Sequence, residues 1–303
     1  MKVMIAVDGS AGSFAAVEQM GRVLSPQGDE VAFYCSPPDV QLRVHHPEPK
    51  LMARAQQGIA EAVFEEARKH LPAGLHPART VVDTHDARHG LPLEADDWGA
   101  DLIAVGARGL STLQRLLLGS VSRAIVHQST IPVWVARAKP ARAHHAMRVL
   151  WACEKPELGK TVGELLARFS WPSGSTFSTI SVAQSIFAGR VPDWLEQQAR
   201  GPDVEAMVQA WAKEHEEDLQ AARKRLEQLV AGLAPPLSSC QTLVAEGEAA
   251  REILNAAQKD DVDLVVVGSQ HKRTVATIIL GSTSEAVLNH AACSVLVVPQ
   301  RTP

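Results

Sequence analysis

Cysteine is scarce in this chain. Its four cysteines among 303 residues, Cys35, Cys153, Cys240 and Cys293, lie far apart and form no Cys-x-x-Cys. That argues against a structural zinc site or a redox dithiol and suits a reducing compartment. Charge of one sign is also lacking: 30 Lys and Arg against 34 Asp and Glu leave a formal charge of −4. Nothing there offers a basic surface to nucleic acid or to an anionic membrane. No apolar run approaches the ~18–20 residues of a membrane span. Residues 2–7 (KVMIAV) already read as a buried strand, which leaves no room for a signal peptide. These absences predict a cytoplasmic protein with no membrane or nucleic-acid partner.

What is present is a duplication. DLIAVGA (101–107), LGSVSRA (118–124) and IPVWVA (131–136) recur as DLVVVGS (263–269), LGSTSEA (280–286) and CSVLVV (293–298), all at an offset of 162. At the front edge KVMIAVD (2–8) matches RVLWACE (148–154) at an offset of 146, so the second repeat carries 16 more residues in its middle. Two copies are too few for a solenoid and imply tandem globular domains, here 1–138 and 147–303, joined by a short basic linker at about 137–147 (RAKPARAHHAM).

Each repeat alternates short apolar runs with helical patterns. Strands are expected at 2–7, 30–35, 79–83, 101–106 and 131–136, and helices at 11–24, 51–70, 88–98 and 120–128. Repeat two predicts strands near 148–153, 176–182, 240–245, 263–268 and 294–298, with its extra length in a long amphipathic helix between Pro192 and Val230. Short Val/Ile/Leu runs suit strands buried on both faces of a parallel sheet, and the alternation with helices suits doubly wound α/β domains.

One motif carries chemistry. Gly106-Ala107-Arg108-Gly109, nine further residues, then Gly119-Ser120 begins at the end of a predicted strand, where open α/β sheets hold ligands. Gly106 and Gly109 allow close backbone approach and permit positive φ. Ser120 falls at or near a helix N-cap, so free N–H groups and the helix dipole would face an anion, with the Ser120 and Ser122 hydroxyls in support. Ordinary turns are the plainer reading of the glycines; spacing, context and repetition favour a phosphate cradle. Asp8, in Val7-Asp8-Gly9-Ser10, ends the first strand, and its carboxylate suits either ribose hydroxyls or a turn before the helix at 11–24.

VDGS (7–10), GARG (106–109), the spacer LSTLQRLLL, GSVS (119–122) and the IPVWVA strand together resemble the ATP-binding branch of the universal stress protein family. The resemblance spans both repeats, as in tandem-domain members. It implies two Rossmann-like domains, each a five-stranded parallel sheet in order 3-2-1-4-5 with helices on both faces. It also implies ATP in the cleft, with Mg2+ as an accompanying ion. Carried onto this chain, Asp8 takes the ribose, and Gly106, Arg108, Gly109, Gly119, Ser120, Val121 and Ser122 line the phosphates. Cys35 stands where the end of strand two meets adenine, although AFYCSPP departs from the family's Leu-His-Val-Val. Ala6 and Val105 add apolar contact to the base. The resemblance further implies that the repeats pair within the chain, 131–136 near 293–298, leaving homodimers and an unidentified protein partner as further associations.

Repeat two departs from the motif. Asp8 becomes Glu154, Gly9 becomes Lys155 and Gly109 becomes His271, whose side chain would intrude on the cradle; Gly268, Gly281 and Ser282 remain, and Lys272 and Arg273 could still attract an anion. An empty or altered second site is expected. Gly159-Lys160-Thr161 imitates a Walker A loop, but Glu154 stands where that loop needs glycine, and the repeat alignment makes it the loop after the repeat's first strand. His85 and His89 with Asp83 and Asp86, and the pairs His45-His46 and His144-His145, read better as loop residues than as metal ligands. Cys35 is more readily an inert strand-end thiol than a reactive one, and Trp194 and Trp211 suit a core or an interface. Lacking a Walker A lysine, a general base and a Ser-Gly-Gly-x-Asp-Ser loop, the chain reads first as a regulatory nucleotide-binding protein. A slow ATPase and a nucleotide-free interaction module are the alternatives.

Overall fold

The computed structural model describes residues 1–37, 49–109, 118–138, 146–153, 156–183, 202–269 and 280–299. Repeat one runs β1 (Lys2–Ala6), α1 (Ala11–Val23), β2 (Glu30–Cys35), α2 (Pro49–Lys69), β3 (Pro77–Val82), α3 (Ala87–Trp98), β4 (Leu102–Gly106), α4 (Ser120–Gln128) and β5 (Val133–Ala136). Repeat two runs β6 (Arg148–Ala152), α5 (Pro156–Ala167), β7 (Thr176–Ala183), α6 (Pro202–Ala231), β8 (Gln241–Glu246), α7 (Ala249–Lys259), β9 (Leu264–Ser269), α8 (Ser282–His290) and β10 (Ser294–Pro299). The strands join one ten-stranded sheet in the order β3-β2-β1-β4-β5-β10-β9-β6-β7-β8. Each half is parallel in the expected 3-2-1-4-5 order; only the central β5–β10 pair is antiparallel.

The strands are apolar at successive positions because both faces are covered. Val3, Ile5, Phe33 and Leu102 face one core layer, and Met4, Tyr34, Ile103 and Val105 face the other. Both layers continue across the β5–β10 seam, the first to Trp151 and Leu296, the second to Leu150 and Val295. Helix α1 starts where Ser10, in an extended conformation, accepts a hydrogen bond from Ser13 N at 3.2 Å, and it buries Ala16, Val17, Met20 and Val23 at helical spacing. Within the 192–230 span expected to be helical, the described part from Pro202 forms α6, which packs on β7 and β8 as α2 packs on β2 and β3. The segment 184–201, with Trp194, lies outside the described residues, as does the side chain of Trp211.

The seam is symmetric in register. Val133 pairs with Val297, Trp134 with Leu296 and Val135 with Val295. The repeat offset of 162 makes Trp134 and Leu296 equivalent positions and exchanges the other two pairs, so a local two-fold passes through the central pair. Trp134 is fully buried; its indole Nε1 donates to Gln19 Oε1 at 2.8 Å, its ring meets Phe169 edge-on at 5.8 Å, and Ser294 Oγ donates to the same Gln19 oxygen at 2.8 Å. The linker expected from 137 onward begins later than its composition suggested: Arg137 donates from its backbone N to Ser294 Oγ at 3.0 Å and from its guanidinium to the carbonyls of Leu288 (2.7 Å) and Cys293 (3.3 Å). Residues 139–145, including His144-His145, lie outside the described residues.

Trp134→Ala removes the largest side chain at the seam and is expected to lower unfolding stability by about 3–5 kcal/mol. Trp134→Phe keeps the ring contact and is expected to cost no more than about 2 kcal/mol. Chemical denaturation of the full chain checks both; equal costs would show that the ring does not anchor the seam.

Candidate functional site

The ends of β1 and β4 lie side by side at the centre of repeat one, where the chain crosses to opposite faces of the sheet. The loop after β1 is rigid. Gly9 takes φ 81°, a left-handed conformation that favours glycine. Asp8 Oδ1 accepts from Ser10 N at 3.0 Å and from Ser10 Oγ at 2.6 Å. The single Ser10 hydroxyl proton is shared with the Arg108 carbonyl, 3.2 Å away. Ser13 Oγ donates to Ser10 O at 2.9 Å and accepts from Asp8 N at 3.3 Å. Asp8 thus fills the turn role with one oxygen, while Ser10 is the N-cap of α1.

Three glycines set the spacing between this loop and the segment after β4. A β-carbon on Gly12 would collide with the Arg108 carbonyl, and one on Gly106 would collide with the backbone of Gly12 and lie 2.7 Å from Ser13 N. One on Gly109 would lie 2.5 Å from Asp8 Oδ2, so the second carboxylate oxygen of Asp8 faces the Gly109 backbone. Gly106, Gly109 and Gly119 are absent from the residues with positive φ, which corrects part of the sequence argument: what they supply is room, and the left-handed turn is made by Gly9.

Helix α4 opens toward this junction. Its N-cap is Gly119, not Ser120, which is the first helical residue, and no side chain caps it. Gly119 N donates to Ala107 O at 2.8 Å, fixing the helix start against the β4 loop. By helix geometry the first-turn N–H groups of Ser120, Val121 and Ser122 have no intrahelical carbonyl to donate to, and a helix start of this kind, with its dipole, can attract an anion. Ser122 Oγ is buried and donates its proton to Gly106 O at 2.6 Å. It therefore holds helix to strand and can offer an anion only its N–H. Residues 110–117, most of the spacer, lie outside the described residues.

The structure brings Asp8, Gly106, Arg108, Gly109, Gly119, Ser120, Val121 and Ser122 to one junction. Ala6 is partly exposed there, whereas Val105 and Cys35 are each 2% exposed and lie beneath the surface. Burial, with a smaller contribution from the Asp8 carboxylate, pushes the Cys35 thiol up to about 11. Beside it, Tyr34 OH donates to Asp83 Oδ2 at 2.8 Å, and His85 donates to Asp83 Oδ1 from its backbone N at 2.8 Å, with its ring Nδ1 2.7 Å away. Burial alone would raise the Asp83 carboxyl, but these donors hold it below its ordinary range, and burial raises the Tyr34 hydroxyl. His85 sits in the loop before α3 as expected, and no group of three or more His, Cys, Asp or Glu suited to a metal occurs among the described residues.

Sequence reasoning missed Gly12, Ser10 and Ser13. The signal at Gly12 was a glycine inside a helical pattern, which costs roughly 1 kcal/mol relative to alanine and so needs a packing reason. At the β1 offset of 146, repeat two has Leu158 at the position of Gly12. Repeat two does keep the helix start: Gly281 is the N-cap of α8, and Ser284 Oγ donates to Gly268 O at 2.6 Å. Residues 270–279, with His271, Lys272 and Arg273, and Glu154 and Lys155, lie outside the described residues. The Walker A imitation falls inside α5 rather than in a loop: Gly159 packs against Leu229, and Lys160 is exposed.

Two doubly wound α/β halves, each with its glycine-framed helix start at the switch point, define the class. A sequence model of the universal stress protein family matches residues 1–137 and 186–299, and the chain belongs to that family. It is similar over its whole length to a universal stress protein of Mycolicibacterium smegmatis, 25% identical, with 99% of this chain and 97% of that protein covered. A shorter stretch, 33% of this chain and 60% of the relative, is 40% identical to universal stress protein A homolog 2 of Coxiella burnetii. The crystal structure of a universal stress protein from Archaeoglobus fulgidus superposes with a TM-score of 0.64 over 99% of this chain and 98% of that one, at 18% identity. The chain is thus a tandem-domain member. Among the described residues no helix is long and apolar enough to cross a membrane.

All four cysteines are buried, with Cys35 at about 11 and Cys240 pushed by burial up to about 12. A chromogenic disulfide reagent at pH 8 is therefore expected to titrate less than one thiol per native chain and all four after denaturation. Rapid modification of Cys35 in the native protein would refute this placement.

Proposed function

We propose that repeat one binds an adenine nucleotide, ATP, and that repeat two is its structural partner in an intramolecular pseudo-dimer, the whole acting as a regulatory protein of the stress response. The division taken is 1–138 and 147–303. The observation that carries this reading is the close backbone packing of Gly12, Gly106 and Gly109 beside the uncapped start of α4. Beside it, the first-turn N–H groups of Ser120, Val121 and Ser122 are the donors a phosphate requires.

The residues present fit the ligand. Asp8 Oδ2, turned toward Gly109 while Oδ1 is held by Ser10, is the acceptor for ribose hydroxyls. Arg108 and the α4 N-terminus supply positive charge for the phosphates. Ser122, its hydroxyl committed to Gly106, orients the helix start. Ala6 lies at the mouth with Val105 buried in the same core layer beneath it, and the end of β2 at Cys35, whose side chain belongs to the opposite layer, stands beside the base. Mg2+ would arrive with the phosphates, its charge offsetting theirs. These groups bind and orient, and bound nucleotide stabilises the conformation that holds it. Leu158 and His271, in place of Gly12 and Gly109, support one nucleotide per chain.

Titration calorimetry with ATP tests the site. Wild type is expected to bind one equivalent, and Gly12→Ala and Gly109→Val to lose at least about tenfold in affinity, as the loss of one or two charge-assisted hydrogen bonds implies. Circular dichroism confirms that the variants are folded. If folded Gly109→Val and Gly12→Ala bind ATP as wild type does, repeat one does not hold the nucleotide at this junction. Mass spectrometry of nucleotide released on denaturation identifies the base and the phosphate number.

A further inference from the structure

The seam between the repeats is symmetric in backbone register and asymmetric in chemistry. Helices α4 and α8 flank the β5–β10 pair and face each other beside the local two-fold. Arg123 of α4 reaches Glu285 of α8, Nη1 to Oε1 at 3.1 Å, and Nη2 donates to Asn289 Oδ1 at 2.8 Å. His127 Nε2 lies 3.1 Å from Glu285 Oε2, and Asn289 Nδ2 donates to Glu285 Oε1 at 3.0 Å. At the repeat offset of 162, Arg123 and Glu285 are equivalent positions, and so are His127 and Asn289. The same two helix positions therefore carry a cation and an imidazole in one repeat, and an anion and an amide in the other.

Symmetry gives this its meaning. In a like-with-like pairing through the same face, an equivalent position near the axis meets itself. Two copies of repeat one would set Arg123 against Arg123 and Trp134 against Trp134; two copies of repeat two would set Glu285 against Glu285. The pair is only partly exposed, at 43% for the Arg123 side chain and 27% for Glu285, so solvent screens it less than it would a free surface pair. The β-strand edge repeats the asymmetry. Ser294 Oγ donates to Gln19 and accepts from Arg137 N, and its equivalent in repeat one is Pro132, which has no hydroxyl.

We propose that this seam is keyed for unlike repeats: the face built from β5 and α4 accepts β10 and α8 of repeat two and rejects a second copy of itself. Complementary charge at equivalent positions does both jobs, attracting the intended partner and repelling the symmetric one. This concerns the pairing surface and holds whether or not repeat one carries nucleotide.

The test uses charge reversal in the full chain, read by thermal unfolding and by light-scattering mass. Arg123→Glu and Glu285→Arg are each expected to lower Tm by about 1–2 °C, the scale for roughly 1 kcal/mol in a chain of about 300 residues. The double reversal is expected to recover most of that loss, and 1 M salt is expected to shrink the differences. Glu285→Arg with Asn289→His gives repeat two the same pair as repeat one and is expected to lower Tm at least as far as Glu285→Arg alone. A double reversal whose loss is the sum of the singles, unchanged by salt, overturns the proposal. So does a like-charged variant that keeps wild-type Tm and mass.

Discussion

The antiparallel pairing of β5 with β10 is the constraint on which the rest of the molecule depends. A five-stranded parallel sheet ends in open edges, and an open edge presents unpaired N–H and C=O groups to any strand that fits. Here the inner edge of each half is closed by the other, and both core layers run through the joint. Trp134 fills the joint, and its one polar atom is satisfied by Gln19, which in turn binds Ser294 of the second repeat. Because the central strands are fixed in this way, so are β4 and β9 beside them, and with β4 the position of the loop that frames the site.

The site itself depends on absence of side-chain volume. The β1–α1 loop and the β4–α4 loop approach each other more closely than any β-carbon allows at Gly12 or Gly106. Their contact is then locked by small hydroxyls, Ser10 to Asp8 and Arg108, and Ser122 to Gly106. A helix start with unsatisfied donors is common in proteins. Here one is tied to the end of β4 by Gly119 N to Ala107 O and by Ser122 Oγ to Gly106 O, beside the Asp8 carboxylate, and donors fixed in advance cost less to order than mobile ones.

Much of this was legible in the sequence. The strands at 30–35 and the helix at 120–128 match the structure at both ends, since continuous apolar runs and the Gly-Ser boundary are strong local signals. The duplication showed that both halves share one plan, and the family resemblance implied the 3-2-1-4-5 order found in each. Long-range effects were not legible. Gly106 and Gly109 read as places of close approach to a ligand that permit positive φ, yet neither has positive φ and their nearest neighbours are Gly12 and Asp8, distant in sequence. Arg137 read as linker charge, yet its three donations go to residues about 150 positions away. Asp83 read only as a loop residue near His85, and Tyr34 gave no signal, because their hydrogen bond joins neighbouring strands through side chains that look ordinary singly.

Duplication leaves two copies free to diverge, and the pattern of divergence separates function from architecture. The hydroxyl that ties helix to strand survives in both halves, as Ser122 to Gly106 and as Ser284 to Gly268, at the same 2.6 Å. It serves the fold, because a strand carbonyl beside a buried helix start needs a donor in either half. Gly12 does not survive, and a leucine stands at its position. If Gly12 served only the packing of α1, its counterpart in α5 would face the same steric limit. The limit at Gly12 is set by the Arg108 carbonyl, in the loop after β4, whose counterpart in repeat two lies outside the described residues. The serine-to-glycine bond is thus common to both doubly wound halves, whereas Gly12 belongs to a close contact between two loops of repeat one.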